Sequence, residues 1–324
     1  MEEFKLKILS VGVGGGGCNT IKRLIKMGVK STELVAINTD RVHLNTVPKE
    51  AKKVLIGVSI TRGLGAGGFT EVAERCAEVD SEKIKEALSG ANLVFLCAGM
   101  GGGTGTGASP IVAKIAKEEG AIVIGFVTFP FKIERSRIGK AMEGIDKLRQ
   151  ICDTLIVIDN NKLLEFVPNL PMEEAFMVAD EIVARAIRGI SDTLQIPSLV
   201  NLDFADLKTI MQKGGIGLIA VGEGKGVNRV NDCVKSVFEH KLLDVSPENA
   251  RGSLIHITGG KELTIGEVTK IGEKLTEICH PNAEVIFGAR IDEKFADKIE
   301  VIAIYTGLQE GPEILERREE PFFY

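Results

Sequence analysis

Fifteen of the chain's 37 glycines are confined to three short windows, residues 12–17, 63–68 and 99–107. Glycine suits backbone that must take a positive φ or pass close to another group with no Cβ in the way. Three such clusters therefore mark three places where main chain closes on itself or on a ligand. Two of them stand between an apolar run and a helical pattern. Lys5–Val11 (KLKILSV) reads as a strand, Gly12–Gly17 interrupts it, and Asn19–Met27 then has apolar residues at 21, 24, 25 and 27, the spacing of one helix face. Leu93–Ala98 (LVFLCA) is a second strand, followed by the loop 99–107 and a helical pattern at 108–118.

Leu34–Ile37, Ile122–Val127 and Thr154–Ile158 are further apolar runs of strand length, with helical patterns at 81–88 and 139–151 between some of them. Strands apolar on both faces and alternating with helices build a parallel sheet covered on both sides. The expected fold class is α/β, with a doubly wound, mostly parallel nucleotide-binding sheet over residues 1–171. Residues 172–194 read as a long central connecting helix, opened by Glu173 and Glu174 and bracketed by Pro171 and Pro197, with a bend possible at Gly189. Residues 195–309 read as a second, α+β domain. It has helices at 204–212, 227–241 and 264–278 and strands at Leu218–Val221, Leu254–Thr258, Val285–Arg290 and Val301–Tyr305. Only about ten residues separate the last two strands, so part of this sheet is expected to be antiparallel. Residues 310–324 read as a flexible tail.

Composition removes several function classes. A net charge of −5 supplies no global field for a phosphate backbone, so no nucleic-acid partner is expected. The six cysteines lie at least 21 residues apart and the four histidines are scattered, so no metal-ligand spacing is readable. The N-terminus is not a signal peptide, and no apolar run approaches the roughly 18 residues of a membrane span. A cytoplasmic protein with no direct membrane insertion is expected.

Gly12, Gly14 and Gly17 satisfy G-x-G-x-x-G between a strand and a helix, where backbone N–H groups and the positive helix end form an anion site. Asp40 follows Gly17 by 23 residues at the end of a second strand, the place of the acid that contacts ribose in dinucleotide folds. An NAD(P)-dependent oxidoreductase with a Rossmann-type domain is therefore one reading. The loop 99–107 adds a second phosphate site, with the Thr104 and Thr106 hydroxyls as further donors. A dinucleotide needs one such loop, whereas a nucleoside triphosphate gives both something to grip. No G-x-x-x-x-G-K-[ST] occurs, and Asn161-Lys162 is followed by Leu164 where a small-GTPase base motif needs Asp.

Gly101–Gly107 (GGGTGTG) resembles the signature loop of the tubulin/FtsZ superfamily, and Thr106 favours the FtsZ side, since tubulins usually carry Ser there. Gly14–Asn19 (GGGGCN), Asn38-Thr39-Asp40, Thr61–Gly68 (TRGLGAGG) and Asn201–Asp206 (NLDFAD) agree, in the family's order, over about residues 5–308. An archaeal origin is the expectation. The resemblance implies a polymerising cytoskeletal GTPase of cell division, sited in the cytoplasm at the division plane, with head-to-tail filaments of its own copies. A non-hydrolysing tubulin-like scaffold is the third reading, and the presence of Asn201, Asp203 and Asp206 argues against it.

The same resemblance assigns residues. Gly15 and Gly16, with Gly101, Gly102, Gly103, Thr104, Gly105, Thr106 and Gly107, are implied to hold the phosphates of GTP or GDP, and Gly14 and Asn19 to belong to the same nucleotide site. Asn38 and Asp40 lie toward ribose or phosphate, and Ala66, Gly67 and Gly68 sense the γ-phosphate. Glu134 contacts the ribose; its usual arginine partner would stand at Ile138, leaving Arg137 or Arg135 for that role. Asn160 reads guanine, Phe176 stacks on it, and Asp180 accepts from its N1 and amino hydrogens; on an arbitrary helix these last two would be a core Phe and a solvated Asp. Asn201, Asp203 and Asp206 are the catalytic candidates, although spacing alone reads Asp203 as a helix N-cap and Asp206 as a first-turn acid. They follow a helix of about 30 Å and so would not reach their own nucleotide; the resemblance implies that they insert into the next subunit's site. Mg²⁺ is expected to be held mainly by the phosphates, with K⁺ as a further ion. The terminal Pro321-Phe322-Phe323-Tyr324 suits docking on a membrane-anchoring adaptor, or is an incidental aromatic end.

Overall fold

The computed structural model describes residues 6–166, 169–196, 200, 203–212, 214–239 and 246–308. The chain divides into two units between Ser191 and Asp192. In the first, six strands run β1 (Ile8–Val13), β2 (Glu33–Asn38), β3 (Lys52–Leu55), β4 (Leu93–Gly99), β5 (Ile122–Phe129) and β6 (Thr154–Asp159). They pair in the order β3-β2-β1-β4-β5-β6, all parallel. The helices are α1 (Gly14–Lys26), α2 (Arg41–Asn45), α3 (Val58–Thr61), α4 (Thr70–Val79), α5 (Ser81–Leu88), α6 (Gly103–Glu118), α7 (Arg135–Ile151), α8 (Asn160–Phe166) and α9 (Met172–Gln195). β1 and β4 are buried almost throughout, which explains why both read as unbroken apolar runs. Strand order reverses at β1, so the crevice between the carboxyl ends of β1 and β4 is the ligand position in such a sheet.

The glycine segments differ from the expected loops. Helix α1 starts at Gly14 and α6 at Gly103, so most of both motifs lies in the first helical turns and only Met100–Gly102 remains as a connection. Glycine is disfavoured in a helix interior, but here bulk is what the packing forbids. A Cβ on Gly17 would overlap the Cys97 carbonyl, one on Gly105 the Gly99 carbonyl, and one on Gly107 the Thr70 carbonyl. Gly14, at φ +72°, would place a Cβ 2.7 Å from the Gly105 backbone nitrogen. The first turns of α1 and α6 thus meet backbone to backbone.

The second unit has α10 (Phe204–Met211), α11 (Arg229–Phe238) and α12 (Ile265–Thr276) with strands β7 (Ile216–Lys225), β8 (Gly252–Gly259), β9 (Glu284–Ile291) and β10 (Lys298–Thr306). Antiparallel pairing is present, but not between the two strands whose short spacing suggested it. β10 lies between β7 and β8, antiparallel to both, while β9 runs parallel to β8 at the edge. The link after β9 carries the chain past β8, and that placement buries β10 completely from Val301 to Thr306. Tyr305 donates its hydroxyl to the Leu275 carbonyl at 3.0 Å inside this core. Helix α9 continues through Gly189 to Gln195 without a break. The tail 310–324 lies outside the described residues.

Gly107→Ala is expected to destabilise the protein by about 1–3 kcal/mol, since α4 and α6 must part to admit a methyl group. Gly139→Ala, in α7 with open space around it, is expected to stabilise by about 0.5–1 kcal/mol. Urea unfolding midpoints of the two variants check the opposite signs; a neutral Gly107→Ala would contradict the close α4–α6 approach.

Candidate functional site

Both helices that leave the switch point begin without a side-chain cap: Val13 precedes α1 and Gly102 precedes α6, and neither side chain bonds the helix. The first N–H groups of a helix need partners, and their partial positive charge favours an anion. Around these ends lies a cavity of about 750 Å³, within the usual range for small-molecule sites.

Most residues expected at the site line this cavity: Gly15, Gly16 and Asn19; Asn38 and Asp40; Ala66, Gly67 and Gly68; Gly102, Gly103, Thr104 and Gly105; Glu134 and Arg137; Asn160, Phe176 and Asp180. They come from seven different segments that the parallel strand order gathers at one edge. Thr39 and Thr104 share a hydroxyl–hydroxyl bond of 2.7 Å, which ties the end of β2 to the first turn of α6. Asp40 also caps α2, accepting from the His43 N–H at 3.0 Å.

Four expected residues stand behind the lining. Gly14 and Gly107 serve the packing described above, and Gly101 takes φ +91° against Arg137. Thr106 does not present a phosphate donor as expected: it is 3% exposed, and its Oγ1 accepts the Gly101 N–H at 2.8 Å. Its place in the second helical turn faces the hydroxyl inward, where it fixes the connection before α6.

Of the two candidate arginines, Arg137 lines the cavity. It donates to Glu134 Oε2 at 2.5 Å, while Glu134 Oε1 accepts the Phe131 N–H at 3.0 Å. Phe176 is 37% exposed, and its ring is braced edge-on by Phe131 at 5.3 Å between centroids. Asn160 is 5% exposed, and its Oδ1 is buried with no hydrogen-bond partner among the described residues. A buried acceptor left unmatched costs about 1–3 kcal/mol, so Asn160 suits a ligand that brings an N–H or O–H. Burial pushes the Asp180 carboxyl up to about 6, partly offset by the Thr20 hydroxyl and the charges of Arg23 and Lys22.

Lys22, Arg23, Lys26 and His43 also line the cavity and were missed in the sequence. The first three follow Asn19 at the spacing of one helix face, a signal that was readable once α1 was placed. Burial lowers the His43 pKa. Arg23 is held in an ion pair with Glu181. In the second unit, Asp203 caps α10 by accepting the Ala205 N–H at 3.0 Å, and Asp206 is an exposed first-turn acid. Asn201 lies outside the described residues. Among the described residues, no group of three or more His, Cys, Asp or Glu side chains is placed to hold a metal ion, and no helix is long and apolar enough to cross a membrane.

A family model described as "Tubulin/FtsZ family, GTPase domain" matches residues 7–168, and one described as "FtsZ family, C-terminal domain" matches residues 215–309. The chain is 51% identical to cell division protein FtsZ 2 of Methanocaldococcus jannaschii over 324 residues, covering 99% of this chain and 85% of that protein. It is 50% identical to FtsZ 2 of Haloferax volcanii over 303 residues, 94% of this chain and 76% of the relative. Among solved structures, an empty FtsZ dimer of M. jannaschii superposes with a TM-score of 0.90 at 42% identity, covering 95% of this chain and 90% of that one. The archaeal sources agree with the expected origin. The matched first domain is a GTPase domain, and nothing in these likenesses supports the oxidoreductase that Gly12–Gly17 and Asp40 suggested, or a non-hydrolysing scaffold. The uncapped helix ends, the cavity they face and the two matched domains lead to one conclusion: the chain belongs to the FtsZ family of tubulin-like cell-division GTPases.

Proposed function

We propose that this GTPase assembles head to tail into filaments at the division site, and that GTP held by one subunit is hydrolysed when the next presents Asn201, Asp203 and Asp206. One observation carries the reading: every residue lining the cavity belongs to the first unit, whereas the exposed Asp203 and Asp206 belong to the second. A head-to-tail contact is heterologous, and where its rotation does not close it extends into a filament. The M. jannaschii relative has been solved as a dimer, which is consistent with self-association.

Within one subunit, N–H groups at the starts of α1 and α6 take the phosphate charge, and Ala66–Gly68 meets the γ-phosphate. Arg137 and Glu134 act together at the ribose. Phe176 stacks on guanine, and Asp180 accepts from N1 and the exocyclic amino group. The acids of the incoming subunit orient a water in line with the γ-phosphorus, and one of them takes its proton. The bond to the β-phosphate oxygen then breaks, giving GDP and phosphate. Most of the acceleration comes from positioning and from fixed positive dipoles around the phosphates. Bound Mg²⁺ supplies charge neutralisation while held mainly by phosphates and waters, because it keeps few protein ligands; K⁺ is a further ion the two acids suit. Loss of the γ-phosphate charge weakens the subunit contact, so assembly switches on the reaction that undoes it. The end Pro321–Tyr324 docks an adaptor that anchors filaments to the membrane, and its deletion is expected to abolish membrane recruitment; recruitment that persists would contradict this.

Asp206→Ala is expected to bind GTP normally and, mixed with the unaltered protein, to lower hydrolysis below the value set by dilution. Titrating variant into active protein at fixed total concentration checks this. A fall in simple proportion to dilution would mean that the acids do not act across a subunit contact.

A further inference from the structure

Thr20, one helical turn along α1 from the cavity-lining Gly16, donates its hydroxyl to Asp180 Oδ1 of α9 at 2.8 Å. Thr20 is 5% exposed, so water hardly competes for the bond. The Gly16 carbonyl is a second acceptor at 3.4 Å. A hydroxyl has one hydrogen to give, and the shorter bond to a carboxylate takes it. One turn along α1, Arg23 pairs with Glu181, the residue after Asp180, and Glu181 is paired in turn with Arg185. Successive turns of α1 therefore grip successive acids of α9.

A hydrogen bond to one oxygen restricts rotation of the carboxylate and fixes where its other oxygen stands, on a residue that lines the cavity. Each carboxylate oxygen has two lone-pair sites, so Oδ1 can still accept from a ligand while bonded to Thr20. We propose that Thr20 is a positioning residue for base recognition, holding Asp180 in the orientation that accepts from guanine N1 and its amino group. This rests on the reading of Asp180 as the guanine acceptor. Thr20 also joins that acceptor to the helix whose first turn receives the phosphates, so base and phosphates are read by one rigid piece.

The charged groups around Asp180 are Lys22 and Arg23 on α1, with Glu181 beside it on α9; Cys97 of β4 stays a neutral thiol because burial raises its pKa. Lys22, Arg23 and the Thr20 hydroxyl favour the ionised carboxylate, and burial opposes them and sets its pKa at about 6. Below that pH the protonated group loses acceptor capacity, so preference for guanine falls as pH drops. Removing the Thr20 donor moves that fall to higher pH.

The test is calorimetric titration of the full chain with GDP and with IDP from pH 5 to pH 8. IDP lacks the amino group but has the same phosphates, so the affinity ratio cancels phosphate titration. The ratio is expected to fall through about pH 6 in the unaltered protein. Thr20→Val is expected to lower the ratio at pH 7 about tenfold, within what a hydrogen bond to a charged group contributes, and to shift the midpoint upward, whereas Thr20→Ser keeps both. A Thr20→Val protein with unchanged ratio and midpoint, altered only in melting temperature, would make Thr20 a simple strut and overturn the proposal. If Val does not fold, Thr20→Ala is read in the same way. Asp180→Asn separates the two ideas: it should abolish the pH dependence, and an unchanged ratio there would sink the reading of Asp180 itself.

Discussion

Phosphate charge has to be met by something, and what this chain offers is backbone at two uncapped helix starts. The first turns of α1 and α6 approach until Gly14 has no room for a Cβ beside Gly105, and neither helix spends its leading N–H groups on a side-chain cap. Two positive helix ends held this close repel one another, and they are stabilised by an anion placed between them. That requirement accounts for the glycines at 12–17 and 99–107 better than flexibility does. They let helices sit on the carbonyls of Cys97, Gly99 and Thr70, and so hold the N–H groups in place before any ligand arrives. The sheet order then has little freedom, because only adjacent strands β1 and β4 can deliver both helices to one crevice.

From that anchor the rest of the site follows by distance along the sheet. β2 ends in Asn38, with Asp40 just beyond it, on one side, and β5 and β6 end near Glu134, Arg137 and Asn160 on the other. α9 supplies Phe176 and Asp180, a turn apart, and is fastened to α1 by Thr20 and Arg23 and to the connection before β2 by the Ser31–Ser191 hydroxyl bond of 2.8 Å. The end of the cavity at Asn160, Phe176 and Asp180 is the part built from side chains rather than backbone. It contains the buried Asn160 oxygen and the Asp180 carboxyl raised to about 6, both of which a hydrogen-bonding ligand relieves. A ligand that brings donors to these groups gains more than the same ligand would in water.

Much of this was legible in the sequence because strands buried on both faces leave long apolar runs, and because glycine clusters are rare outside close backbone contacts. β1, β4 and the alternation of the first unit were read in this way and α9 from its helical pattern between prolines, whereas 17 of the cavity-lining residues were named through the resemblance to the tubulin/FtsZ superfamily. What was illegible has physical reasons. Helical spacing cannot say that a glycine stretch will be helical, so α1 and α6 were started too late. A motif cannot say which way a hydroxyl points, so Thr106 was taken as a donor when it accepts from Gly101. Short spacing favours a hairpin only when no other strand takes the neighbouring position, and β8 takes it between β9 and β10. Lys22 and Lys26 were passed over because surface lysines on a helix are ordinary until the opposite wall of a cavity is known.

The central claim is that the hydrolytic site exists only between subunits. GTPase rate per molecule against protein concentration, with Mg²⁺ and K⁺ present, tests it most directly. A threshold concentration followed by rising specific activity is the expected result, since sites form as contacts form. A specific activity that stays constant down to concentrations where the protein is monomeric would mean that each chain hydrolyses GTP alone, and would contradict the role given to Asp203 and Asp206.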